Sequence, residues 1–151
     1  MTILTRRLTI RCMPGRPPWS KFSLPVEERR FCRGFSTEFR ETCREVFGPL
    51  VEPVREWPKG RWAWLLAEVP KRGWLLGFFQ DLENRLTKAG SLWVVLPKKP
   101  YIKEFSFPYS WIEVQETGLT AGLVDNKIAA FSPRLTAIRF VIPVARRKSR
   151  T

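Results

Sequence analysis

The sequence predicts an α+β fold: two layers, with a mostly antiparallel sheet and two helices on one face. A ferredoxin-like arrangement satisfies this pattern. Three observations lead there. Apolar residues recur with helical spacing over 23–49 and 75–88. Strand-like apolar stretches occupy 2–13, 61–69, 91–97, 109–115 and 134–144. The resulting order is strand, helix, strand, helix, then several strands, which suits helices segregated to one side of a sheet.

Each element has its own warrant. In residues 2–13, Leu4, Leu8, Ile10 and Cys12 alternate with Arg7, Thr9 and Arg11, the period of a half-buried strand. The loop "PGRPP" ends it. Over 23–49, Pro25, Glu27 and Glu28 suit a first helical turn, and Gly48-Pro49 suits a stop. Phe31, Phe35, Phe39, Cys43 and Phe47 recur every fourth residue and predict the buried stripe. Gly34 weakens the middle of this helix, with Ser36 available as a fresh N-cap. Three prolines make 49–60 irregular. Residues 61–69 are apolar on both parities and predict an internal strand with at least one core tryptophan. "PKRG" is a turn, and Leu75, Phe78, Phe79, Leu82 and Leu86 mark the second helix. "SLWVVLP" and "RLTAIRFVIPV" are short buried strands. Residues 118–131 suit either a short helix or a hairpin turning at Asp125-Asn126.

The length of 151 residues suits one domain at 1–145 and a basic tail at 146–151, with enough chain to bury a core without disulfides. No apolar run reaches bilayer length, and the N-terminus lacks a signal-peptide pattern, so no membrane partner and a cytoplasmic location are expected. Cys32 and Cys43, placed on one helix, would stand roughly 16 Å apart, too far to bridge. No histidine is present, which removes Ser–His and Cys–His nucleophile pairs and most zinc enzymes. No dinucleotide fingerprint or phosphate-cradling glycine loop appears, so neither cofactor nor metal is expected.

The net charge of +13 points to a polyanionic partner. Eighteen arginines carry most of it. At 100° per residue, Arg29, Arg33, Arg40 and Arg44 fall in one stripe beside the phenylalanines. Such a row can track phosphates, or simply form a solvated face with intrahelical ion pairs. Arg7 and Arg11 on the first strand, Arg139 on the last, and Arg146, Arg147, Lys148 and Arg150 in the tail complete the candidate phosphate-binding set. Trp19, Trp57, Tyr101 and Tyr109, each near a proline and basic residues, are candidate stacking residues.

The stretch "AGLVD", 121–125, resembles the helix motif of LAGLIDADG homing endonucleases, and the resemblance implies a metal-holding Asp125. Asn126-Lys127-Ile128 departs from that motif, and five residues are matched. Glu113 is the other carboxylate a nuclease reading would use. The expected function is a non-catalytic nucleic-acid-binding protein, RNA favoured over DNA, as a subunit of a larger ribonucleoprotein. The alternatives are an adaptor meeting an acidic protein partner, and a histidine-free metal-dependent nuclease.

Overall fold

A computed structural model describes residues 16–147. The strand expected at 2–13, with Arg7 and Arg11, lies outside that range, as do Lys148 and Arg150 of the tail.

Six strands form one sheet: β1 (Phe31–Arg33), β2 (Glu52–Pro53), β3 (Trp62–Glu68), β4 (Leu86–Pro97), β5 (Val124–Ala130) and β6 (Leu135–Val141). Four helices accompany them: α1 (Thr37–Phe47), α2 (Leu75–Asn84), α3 (Trp111–Thr120) and the short α4 (Val144–Arg147). The spatial order is β2-β1-β3-β4-β6-β5. Pairing is parallel from β2 through β4, and β6 alone runs against its two neighbours. The two-layer, mostly antiparallel, ferredoxin-like expectation is therefore corrected to a doubly wound α/β fold. The physical reason lies in the connections. β1–α1–β2 and β3–α2–β4 each pass through a helix, and such crossovers return the chain parallel to itself.

The sheet is buried on both faces. On one, α1 packs Phe39, Cys43 and Phe47 against Cys32, Trp64, Leu66, Trp93 and Val95. On the other, α2 and α3 pack Leu75, Phe79, Leu82 and Val114 against Phe31, Leu65, Val94, Ile138 and Phe140. β3 is apolar on both parities for this reason. Trp64 and Trp93 are fully buried, and both indole N–H groups donate to the Phe22 carbonyl, at 2.8 and 3.1 Å. Trp62 is half-buried, edge-on to Phe31 on the opposite face.

The helix expected over 23–49 begins only at Thr37, because Phe31–Arg33 is a strand. Ser36 is the N-cap, accepting from Phe39 N at 3.2 Å. The strand expected at 109–115 is instead the start of α3. There Ser110 and Glu113 close a capping box. Gly118 lets this helix lie against the sheet, since a Cβ there would come within 2.4 Å of the Phe140 ring.

Candidate functional site at the sheet switch point

From β1 the chain turns to one side, through α1 to β2; from β3 it turns to the other, through α2 to β4. The carboxyl ends of β1 and β3 therefore diverge. In open α/β sheets a ligand crevice forms at this switch point. A cavity of about 630 Å³ lies here, lined by the ends of β1, β2 and β3 and by α1.

Its floor is built by Gly34 and Glu68. Gly34 follows β1 so closely that a Cβ would meet the Phe39 ring at 2.3 Å and Glu68 Oε1 at 2.9 Å. Glu68 ends β3 and is buried. Its carboxylate accepts from Phe35 N (2.8 Å), Ser36 N (2.9 Å) and the Ser36 hydroxyl (2.6 Å). The start of α1 carries unpaired N–H groups and the positive end of the helix dipole, which explains why a buried carboxylate is tolerated there.

The walls are apolar and cationic together. Phe35, Phe39, Val51, Val54 and Phe78 supply the apolar surface. Arg33, Arg40, Arg44 and Arg55 supply four guanidinium groups. Arg33 Nε donates to the Arg55 carbonyl at 2.7 Å, and Arg40 donates to the Phe35 carbonyl at 2.5 Å. No ion pair among the described residues engages any of the four.

Cys32 and Cys43 also line the crevice as free, buried thiols. The expected separation of roughly 16 Å assumed one continuous helix. With Cys32 on β1 and Cys43 on the helix above it, the two share a hydrogen bond. That bond, then burial, pushes the Cys43 thiol well above its ordinary value.

The other sequence candidates are dispersed. Arg29 pairs with Glu52 at 2.8 Å and lies over the Phe31 and Trp62 rings. Arg139 donates to Ser91 Oγ at 2.9 Å; burial, then the neighbouring Arg147, lowers its pKa. Arg146 reaches the Gly122 carbonyl and Glu83, and Arg147 donates to the Ile142 carbonyl. Trp19 packs against the α1 side of the core, whereas Trp57 and Tyr109 pack against the α2 side. Tyr101 closes the half-exposed turn Lys99–Tyr101. Of the predicted arginines, Arg33, Arg40 and Arg44 meet in the crevice. Arg55, Glu68 and Phe78 were not singled out. An acid closing an otherwise buried apolar strand was the available signal for Glu68.

The two carboxylates of the nuclease reading are engaged by groups of the chain itself. Glu113 is held in its cap and Asp125 accepts from Gln115 at 2.9 Å. Among the described residues, no group of three or more His, Cys, Asp or Glu side chains could hold a metal ion. No helix among them is long and apolar enough to cross a membrane.

Comparison with known proteins places this geometry. No family model and no curated protein sequence matches the chain. Solved structures do match. The CcbJ methyltransferase of Streptomyces caelestis superposes with a TM-score of 0.57 at 11% identity, over 87% of this chain and 94% of that one. A SAM-dependent methyltransferase from Aquifex aeolicus gives 0.58 at 13%, over 82% and 87%. A Haloferax volcanii complex of the Trm112 methyltransferase activator gives 0.58 at 8%, over 83% and 87%. At these identities the likeness establishes the fold alone, one shared with S-adenosylmethionine-dependent methyltransferases. The expectation of a non-catalytic nucleic-acid-binding ribonucleoprotein subunit, with its adaptor and nuclease alternatives, is corrected on this finding. The structural neighbours are consistently methyltransferases, and the described arginines among those assigned to phosphates divide between ion pairs, carbonyl or hydroxyl contacts and a crevice.

Proposed function

We propose that this chain is a small methyltransferase of the S-adenosylmethionine-dependent class, with the switch-point crevice as its ligand site. The observation that carries the reading is the coincidence of that crevice with the switch point of a sheet that superposes on methyltransferase structures.

The residues present offer partners for two parts of the cofactor. Phe35, Val54 and Phe78 would receive its purine, and a guanidinium from Arg33 or Arg55 would receive its carboxylate. Gly34 is required by the chain's own packing, since Phe39 and Glu68 occupy the place a Cβ would take. Once bound, the cofactor supplies an activated methyl group. The chain's own part is to orient and desolvate. Among the described lining residues no carboxylate is free, since both Glu68 oxygens are engaged, and the sequence has no histidine. An acceptor that enters already ionised or already nucleophilic suits this lining.

The crevice is rich in positive charge, so the zwitterionic product S-adenosylhomocysteine should bind more tightly than the net-cationic S-adenosylmethionine. Isothermal titration calorimetry tests both points. Binding of both, with the product ahead, supports the reading. No heat from either at about 1 mM, the level of very weak affinity, removes it. A cytoplasmic location accords with the reading, since two buried free thiols suit a reducing compartment. The activator complex among the neighbours supports looking for a protein partner as well.

A further inference from the structure

The cofactor's single carboxylate does not account for four guanidinium groups. Two stand on successive turns of one helix, Arg40 and Arg44, and two flank the strand ends, Arg33 and Arg55. Elsewhere among the described residues Arg29, Arg85, Arg134 and Arg146 meet carboxylates, while Arg30, Arg139 and Arg147 meet backbone or hydroxyl oxygens. What sets the crevice apart is that four arginines line one cavity with no ion pair among them. The one carboxylate there, Glu68, is turned onto the start of α1 and serves Phe35 N and Ser36 instead. Like charges gathered without counter-charge repel one another and disfavour the folded state. An incoming anion relieves that repulsion.

We infer that Arg33, Arg40, Arg44 and Arg55 form an oxyanion subsite, and that the second ligand of this crevice is a small molecule carrying a carboxylate or phosphate on an apolar body. The inference rests on the crevice being the ligand site of the proposed function, and it adds the class of acceptor. Guanidinium forks match the paired oxygens of either group. Phe35 and Phe78 supply the apolar wall for the rest of the molecule. An acceptor that arrives ionised also needs no proton removed, in keeping with a lining that has no free carboxylate.

The test uses the full chain and four probes: benzoate, phenyl phosphate, the neutral benzamide, and S-adenosylhomocysteine. Calorimetry and thermal melting are read at about 50 and about 300 mM sodium chloride, between which the Debye length falls by roughly half. Benzoate or phenyl phosphate should bind, with affinity falling as salt rises, and benzamide should not. Which of the two binds better identifies the oxyanion. The double variant R40Q/R44Q, on an exposed helix surface, should keep its fold and weaken anion binding by about tenfold or more. R29Q, outside the crevice, should leave it unchanged. Benzamide binding as well as benzoate, or full affinity in R40Q/R44Q, overturns the inference. S-adenosylhomocysteine binding without any oxyanion binding also overturns it, while the methyltransferase reading stands. Oxyanion binding without S-adenosylhomocysteine supports the subsite and defeats the methyltransferase reading.

Discussion

Helix α1 carries two groups of charge with opposite fates. Toward the crevice, Arg40 and Arg44 stand with Arg33 and Arg55 and meet no carboxylate. At the second residue of the helix, Glu38 is hydrogen-bonded by Ser132 and by Arg134 at 2.7 Å, and Arg134 in turn reaches Glu104 and lies over the Phe105 ring. One side of the helix is closed by its own chain and fastens α1 to the loop before β6. The other is left electrostatically open. Net charge alone could not separate the two, because it counts an arginine the same whether it is answered or not.

The comparison can be broken most sharply at the crevice floor. Replacing Gly34 by alanine forces a methyl group into the Phe39 ring and toward Glu68. Overpacking at a site this tight should cost about 3 kcal/mol. Denaturant titration should show it, and an unchanged midpoint would mean that β1 and α1 are not packed as described. Replacing Glu68 by alanine leaves two backbone N–H groups and a hydroxyl unsatisfied next to a helix start. A loss of about 2 kcal/mol is expected, visible as a melting temperature lower by several degrees. Stability equal to wild type would show that water replaces the carboxylate freely.

A smaller effect is expected on the closed side, and it should depend on pH. Burial alone would raise the Glu38 carboxyl, but hydrogen bonds from Ser132 and Arg134 outweigh it and hold the group below its ordinary range. A carboxylate with a depressed folded pKa contributes stability above its unfolded value, about 4.3, and loses it as pH falls through the folded value. R134Q should therefore melt lower than wild type at neutral pH and approach it in acid. A constant gap across the acid range would disconnect Arg134 from Glu38. The smallest stability effect belongs to the open side: R40Q/R44Q should stay within about 0.5 kcal/mol of wild type, or rise slightly as repulsion is relieved. A clear loss would show that those arginines are already answered.

These elements also explain what the sequence disclosed. The long, locally determined segments were legible: strands near 61–69, 91–97 and 134–144, a helix from Leu75, and Ser36 as a cap. The parallel topology was hidden in a three-residue strand. Phe31 and Phe35 continue the spacing of Phe39, Cys43 and Phe47, so the stretch reads as one helix. Yet Phe31 is buried on the far face of the sheet and Phe35 is exposed. Glu27 at φ 62° breaks the chain before β1, a left-handed backbone that no side-chain pattern announces. Without β1 there is no switch point, so in the sequence Arg33, Arg40 and Arg44 project as a stripe along a helix rather than as the wall of a crevice. Arg55 was invisible for the same reason. It arrives on the 54–61 connection, and only the crossing of β2 past β1 brings it near.

The shared acceptor at Phe22 has an optical consequence. Two buried indoles, separated by 29 positions in the chain, are tied to one carbonyl in the first described turn, Ser20–Phe22. If that turn lifts off, Trp64 and Trp93 lose their partner together. Peeling of the leading segment would then register as a single coordinated shift in fluorescence emission, a built-in gauge of whether the amino-terminal edge is seated.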